Sequence, residues 1–206
     1  MKRNLRKITL EPIEQMIKDL GFKKRGALFV MDIAPGVLGM LGLCQSTRYH
    51  GPGEVTISPN VGVTFVEVER MVCECAGRKF RVFDVMTICK HLQYLMNSGR
   101  YEFWEFGPEV PVEVAQDMVE AIRIYGVPFM RANADLGSLR QRIREDYGFE
   151  HQLCKRGPVA ALLDGDAAEA RRLVEHELAM RDGANYGEAE DFRAFADCFL
   201  KRIPEV

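Results

Sequence analysis

The densest cluster of polar side chains is the segment 45–53, which reads QSTRYHGPG. It follows a predicted strand, and polar loops on a rigid scaffold often carry function. In a hydrolase, Arg48 would stabilise an anion or oxyanion, and either His50 or His91 would act as the base. The competing interpretation is a solvated hairpin loop, which is the more common case. The candidate binding residues in this segment are Gln45, Ser46, Arg48 and His50.

An aromatic run at 101–106 contains Trp104, the only tryptophan of the chain. Aromatic side chains dominate many recognition surfaces, although a run of this kind belongs more often to a core. Because side chains alternate along a strand, one face of the run would be buried. Either Trp104 with Phe106, or Tyr101 with Phe103, would then remain partly exposed. Trp104 is the fifth candidate binding residue.

The sequence contains no recognisable catalytic, cofactor or metal motif. None of its four histidines has metal-ligand spacing to another histidine or to paired cysteines. The glycines at 36, 39 and 42 lack the spacing of a phosphate-binding or dinucleotide-binding loop, and a Gly-x-Ser-x-Gly motif is missing. Cys73 and Cys75 would share a side only on a strand, since a helix points them apart. We therefore predict no cofactor, no metal and no catalytic residue, and lean towards a protein that is not an enzyme.

Length, charge and cysteine usage limit the class of protein. The chain has 206 residues and 47% hydrophobic content, which suffices for a sizeable core. Its 28 Lys and Arg residues against 30 Asp and Glu residues give a net charge of -2, so we expect no nucleic-acid partner. No apolar run matches a secretion signal or a membrane span, and the six scattered cysteines indicate free thiols. We expect a cytoplasmic protein with no membrane partner.

Hydrophobic spacing predicts the elements that would position these residues. Apolar residues at helical spacing predict a helix over 9–20 that ends at Gly21. Apolar stretches at 27–33 and 37–44, separated by a Pro-Gly turn, predict a β-hairpin. Alternation over 55–65 predicts a third strand, so we expect an antiparallel sheet.

The later part of the chain is mainly helical in pattern. Helical spacing predicts a short helix over 68–75. The segment 85–96 fits either a helix or a strand, and we favour a strand that forms a second hairpin with 101–106. After residue 108 the pattern is helical. The predicted fold is α+β, with an antiparallel sheet of about five strands packed by helices; the predicted domains are an α+β domain over 1–150 and an all-helical C-terminal region over 151–206 packed on it.

Four short motifs follow one another along the first half of the chain: LGFKKRG at 20–26, LF at 28–29, QS at 45–46 and NVGV at 60–63. In this order they resemble the bacterial domain of unknown function 4304 family, over roughly residues 10–130. The resemblance implies an α+β fold in which a helix with a Leu-Gly-Phe-Lys-Lys stop leads into paired strands. It assigns no reaction to any residue. By analogy, the family looks like others that supply toxin-neutralising or partner-binding proteins in bacteria.

The expected function is therefore a non-catalytic bacterial protein-binding module of the immunity-inhibitor type, with another protein as its partner. The alternative is a hydrolase of unrecognised type that uses the loop around Arg48 and His50. A third interpretation makes the helices after about residue 157 the interaction element and the α+β part their scaffold. A cleft that joins Arg48, His50 and another polar group would favour the enzyme, and a flat apolar surface would favour the binding module.

Overall fold

The described part of the chain forms an antiparallel β-sheet and a larger set of helices, which confirms the predicted α+β class. The computed structural model describes residues 5–47, 54–96, 103–107, 112–145, 150–183 and 187–204. Within these ranges the sheet has six strands, and the region after residue 150 consists of helices, as predicted. In the same ranges, no helix combines the length and the apolar character needed to cross a membrane.

The strands are β1 (Lys23–Arg25), β2 (Leu28–Ala34), β3 (Val37–Ser46), β4 (Val55–Phe65), β5 (Ile88–His91) and β6 (Trp104–Phe106). Their order across the sheet is β1-β2-β3-β4-β5, and β6 pairs with β4. The predicted hairpin is confirmed as β2 and β3, with Ala34 opposite Val37 across the turn. Gly36 closes this turn with a φ of 72°, in the left-handed region where a side chain is unfavourable.

Two strand predictions needed correction. The segment 85–96 is a strand only at Ile88–His91, because a 3-10 turn at Leu92–Tyr94 ends it. The aromatic strand β6 pairs with the start of β4, with Ile57 opposite Trp104. The prediction that 101–106 forms a hairpin with 85–96 was therefore wrong. The short strand β1 was not predicted, since its three residues are all exposed and show no apolar alternation.

The helices follow the predicted apolar stripes. The first begins earlier than predicted, at Leu5, and is followed by Gly21 with a φ of 96°, which fits the predicted left-handed stop. The helices are α1 (Leu5–Asp19), α2 (Val66–Cys75), α3 (Val112–Ala121), a π-helix (Ile122–Gly126), α4 (Val127–Ala132), α5 (Leu136–Arg144), α6 (Glu150–Leu163), α7 (Ala167–Met180) and α8 (Gly187–Leu200).

The described chain divides into two compact units. Unit 1 comprises residues 1–63 and 89–132, and unit 2 comprises residues 64–88 and 133–206. The chain passes from one unit to the other within β4, within β5, and between α4 and α5. The predicted division at residue 150 stays a prediction. Unit 2 is built mainly from helices: α2 packs against α6 and α8, and α7 packs against the same two helices.

Close packing within unit 1 depends on glycine at two positions. A methyl group on Gly39 of β3 would lie 2.8 Å from Met130 Sδ and 2.9 Å from an Ile33 side-chain carbon, so α4 lies directly on this strand. A methyl group on Gly126 of the π-helix would lie 3.1 Å from a Val61 side-chain carbon. A glycine on a strand lets a neighbouring side chain approach this closely, and Gly39 is such a position.

Candidate functional site

The structure describes only part of the predicted polar loop. Gln45 is half-buried and Ser46 is exposed at the end of β3. Arg48 and His50 lie outside the described residues, so the binding role of this loop stays a prediction.

Trp104 lies in the core of unit 1. Its side chain is buried on β6, with 4% of its surface exposed, and its indole N–H donates a hydrogen bond of 2.8 Å to Asp117 Oδ2. Phe103 is the exposed aromatic residue next to it, while Tyr101 lies outside the described residues. A binding role for Trp104 stays a prediction, and in the described arrangement its polar atom already has a partner.

His91, the alternative base, lies beside a hydroxyl group. Its Nδ1 is 3.4 Å from Ser58 Oγ, and the same Oγ donates to Gln93 Oε1 at 3.4 Å. A serine nucleophile needs its proton directed at the base. Both contacts of Ser58 Oγ are long, at 3.4 Å, and the oxygen is shared between His91 and Gln93. The three side chains form a part-buried polar cluster on β4, β5 and the 3-10 turn.

A cavity of about 430 Å³ lies within unit 2 and was not predicted from the sequence. Its walls come from α2, the segment 78–85 that follows α2, α6 and α8, together with Arg181 after α7. This volume is within the range of roughly 300–1,000 Å³ that is typical of small-molecule sites. The basic residues that line it are Arg78, Lys79, Arg81, Lys155, Arg156 and Arg181, and the acidic ones are Glu69, Asp84, Glu188 and Asp191.

The end of α2 turns the chain towards the cavity. Gly77, with a φ of 63°, donates its N–H to the Glu74 carbonyl at 3.1 Å, and the N–H of Arg78 donates to the Cys73 carbonyl at 2.8 Å. This pair of bonds is the Schellman helix ending, which needs a residue in the left-handed conformation. It ends the helix sharply and directs the basic segment 78–81 along the cavity.

An ion pair between α2 and α6 forms one wall of the cavity. Glu69 lies on the buried face of α2 with Val68, Val72 and Cys75. Its Oε1 lies 2.7 Å from Arg156 Nε, at an angle outside hydrogen-bond geometry, while Arg156 Nη2 donates to Oε2 at 3.3 Å. The two side chains are 3% and 2% exposed. Buried charges are tolerated only when they are paired in this way.

The remaining basic side chains differ in whether they have an acidic partner. Arg181 donates from Nε to Glu177 at 2.7 Å, and Arg81 Nε lies 3.9 Å from Asp84. Arg78, Lys79 and Lys155 form no ion pair with any residue in the described ranges of the chain. The basic side chains of the cavity that form no ion pair in the described ranges therefore lie on the segment 78–81 and on α6.

The pKa of Lys155 is affected by the charged residues around it. Burial lowers its pKa below the ordinary value, the positive charge of Arg78 lowers it further, and the carboxylate of Asp191 acts in the opposite direction. An anion placed between Lys155 and Arg78 would favour the charged form of the lysine.

Two thiols also line the cavity. Burial raises the pKa of both Cys73 and Cys154 above the ordinary value. The positive charge of Arg78 lowers the pKa of Cys73, but burial is the larger effect. Thiols with a raised pKa are poor nucleophiles near neutral pH, because the thiolate is the reactive form. The described lining is therefore better suited to holding a ligand than to attacking one.

Comparison of the chain with protein-family models, with curated proteins and with solved structures found no match. The resemblance to the domain of unknown function 4304 family accordingly remains a proposal.

Proposed function

We propose that the protein binds a small phosphorylated molecule in the cavity of unit 2, without transforming it. The observation that carries this proposal is the convergence of six basic side chains, against four acidic ones, on one cavity in a chain whose net charge is -2. Such a local excess raises the concentration of anions in a cleft.

The arrangement of charges favours a phosphate group as the anion. Arg78 and Lys79 are adjacent in the chain, and Lys155 lies across from them on α6. Arginine presents a planar fork of donors that matches phosphate oxygens, and lysine adds a point charge. A phosphate at this place would pair with cations that have no ion-pair partner in the described ranges.

The acidic residues indicate what else the ligand carries. Glu188 and Asp191, on the first turns of α8, line the same cavity as the basic segment. Ionised carboxylates accept hydrogen bonds and donate none. A molecule that combines a phosphate with hydroxyl or amino groups, such as a sugar phosphate, would satisfy both sides of the cavity.

Isothermal titration calorimetry with ribose 5-phosphate tests this proposal, with ribose as the uncharged control. We expect saturable binding of the phosphate that weakens as salt is added, because salt screens the exposed cations. Arg78→Gln should weaken binding about 10- to 150-fold, since hydrogen bonds to charged groups contribute about 1.5–3 kcal/mol. Arg172→Gln is the matched control, because Arg172 carries the same charge in unit 2 but does not line the cavity.

Three results would oppose the proposal. Equal affinity for ribose and ribose 5-phosphate would show that the phosphate is not recognised. Equal weakening by Arg78→Gln and Arg172→Gln would show only a general charge effect. Heat from turnover, or a changed ligand recovered after the titration, would point to an enzyme.

A bacterial, cytoplasmic protein-binding module is the second candidate function. It is favoured by exposed apolar side chains in unit 1, where the 3-10 turn packs against the π-helix. Tyr94 is 54% exposed and Ile124 is 46% exposed, and Tyr125 is also exposed. Cross-linking in the protein's own cell extract, with wild type compared against Tyr94→Ser combined with Ile124→Ser, tests this candidate. Recovery of the same proteins with both forms would refute it.

A further inference from the structure

A pair of thiols lies where α2 packs against α8 in unit 2. Cys75, near the C-terminal end of α2, is buried, and Cys198, near the C-terminal end of α8, is half-buried. Their Sγ atoms are 2.9 Å apart. A disulfide requires about 2.05 Å between the sulfurs, so only a small displacement separates this arrangement from a bond.

We propose that Cys75 and Cys198 form a reversible disulfide when the protein meets an oxidised low-molecular-weight disulfide. The Cys198 thiolate, which is the more accessible, attacks one sulfur of the small disulfide and expels the other as a thiolate. Cys75 then gives up its proton and attacks Cys198 Sγ, which expels the second small thiolate. The two released thiolates take up the two protons, so two protein thiols are oxidised and one small disulfide is reduced to two thiols.

The surroundings of Cys75 make this reaction slow near neutral pH. Burial, followed by the hydrogen bond with Cys198, raises the pKa of Cys75 to about 12. The charge of Arg202 opposes this rise and that of Glu74 adds to it. Arg202 is itself bound to Glu74, with Nη1 donating to Oε2 at 2.8 Å. The second attack should therefore speed up as pH rises, because the thiolate fraction of Cys75 increases.

The disulfide would join two walls of the cavity. Cys73, Val72 and Glu69 line it from α2, and Phe192 and Asp191 line it from α8. A covalent bond between these two helices limits how far the cavity can open. Ligand affinity would then depend on whether the two cysteines are reduced or oxidised. This consequence rests on the proposed function, whereas formation of the disulfide does not.

Peptide mapping of the full-length protein tests the disulfide directly. The reduced protein is incubated with oxidised glutathione at mildly alkaline pH, alkylated, and digested with trypsin without reduction. We expect a cross-link between the peptides 71–78 and 194–201, which dithiothreitol reverses, and an intact mass lower by two hydrogen atoms than that of the reduced protein. Because peptide 71–78 contains both Cys73 and Cys75, the variant Cys73→Ser identifies the thiol used.

The matched variants give opposite expectations. Cys73→Ser should form the cross-link in the same yield as wild type, and Cys75→Ser should lose it and retain glutathione on Cys198. Loss of the cross-link in Cys73→Ser, or a cross-link that joins other peptides, would overturn the proposal. Failure of ribose 5-phosphate to bind would leave this mapping result unaffected, so the two proposals fail separately.

Discussion

The buried ion pair between Glu69 and Arg156 offers a sharp test of the packing in unit 2. Replacing Glu69 by glutamine keeps the size of the side chain but leaves the Arg156 guanidinium, 2% exposed, without its counter-charge. Removing one partner of a buried pair costs about 3–5 kcal/mol. We expect Glu69→Gln to lower the free energy of unfolding by about 3–5 kcal/mol, at the upper end of what single substitutions do.

Urea unfolding followed by circular dichroism measures this loss. With a urea dependence of about 2 kcal/mol per molar, the midpoint should fall by roughly 1.5–2.5 M. Glu67→Gln is the matched control on the same helix. Its ion pair with Arg70 is short, at 2.7 Å, but the two side chains are 60% and 45% exposed. The control should change the free energy of unfolding by less than about 0.5 kcal/mol, because exposed pairs contribute little.

A double variant separates the charge from the packing. Glu69→Met combined with Arg156→Met removes both charges, and buried pairs replaced by apolar residues often lose little stability. The double variant should therefore be more stable than Glu69→Gln alone. Equal losses for Glu69→Gln and Glu67→Gln would refute the assignment of Glu69 as a buried, paired carboxylate.

Two further changes test other features. Because the pKa of Cys75 rises from 9.0 to about 12 on folding, the unfolded chain releases this proton at a lower pH than the folded protein. The stabilisation is complete below pH 9 and is lost towards pH 12, so the free energy of unfolding should fall more steeply for wild type than for Cys75→Ser. Equal slopes in urea titrations over this range would contradict the raised pKa. Gly39→Ala should destabilise unit 1 by about 1–3 kcal/mol in thermal unfolding, because the added methyl group overlaps Met130. Gly107→Ala, whose methyl group meets no atom within 4 Å, should change little, and equal effects would exclude close packing at Gly39.

Sequence patterns correctly predicted those elements that depend on residues close to one another in the chain. The stop at Gly21 and the turn at Gly36 follow from residues within a few positions of one another. The helix α2 was predicted from four apolar positions, although its buried face also includes a carboxylate, Glu69. Periodicity identified the helix and its inward side, but the partner that makes a buried carboxylate acceptable lies 87 residues further along the chain.

Such local patterns could not predict which distant segments of the chain pair or pack together. The strand β1 has three exposed charged residues and is held by backbone bonds to β2, so its side chains carry no strand signal. The strand β6 pairs with β4, which is distant from it in the sequence. The prediction paired it with the segment 85–96 because that segment is nearer in the sequence. The cavity draws its lining from several segments between residues 69 and 192, so no single spacing describes it. The sequence feature that could have indicated this cavity is the group of basic residues at 78, 79 and 81, directly after a helix-ending glycine.

The division of unit 2 into two stretches of sequence has a consequence for biosynthesis. Helix α2 is translated with residues 64–88, whereas α6 and α8, against which it packs, follow within residues 133–206. At about 5–20 residues per second, α2 waits on the order of ten seconds for its partners. During that interval Val68 and Val72 have no helix to bury them, and Glu69 remains hydrated. The charged residue on this face would keep the nascent helix soluble until Arg156 is translated.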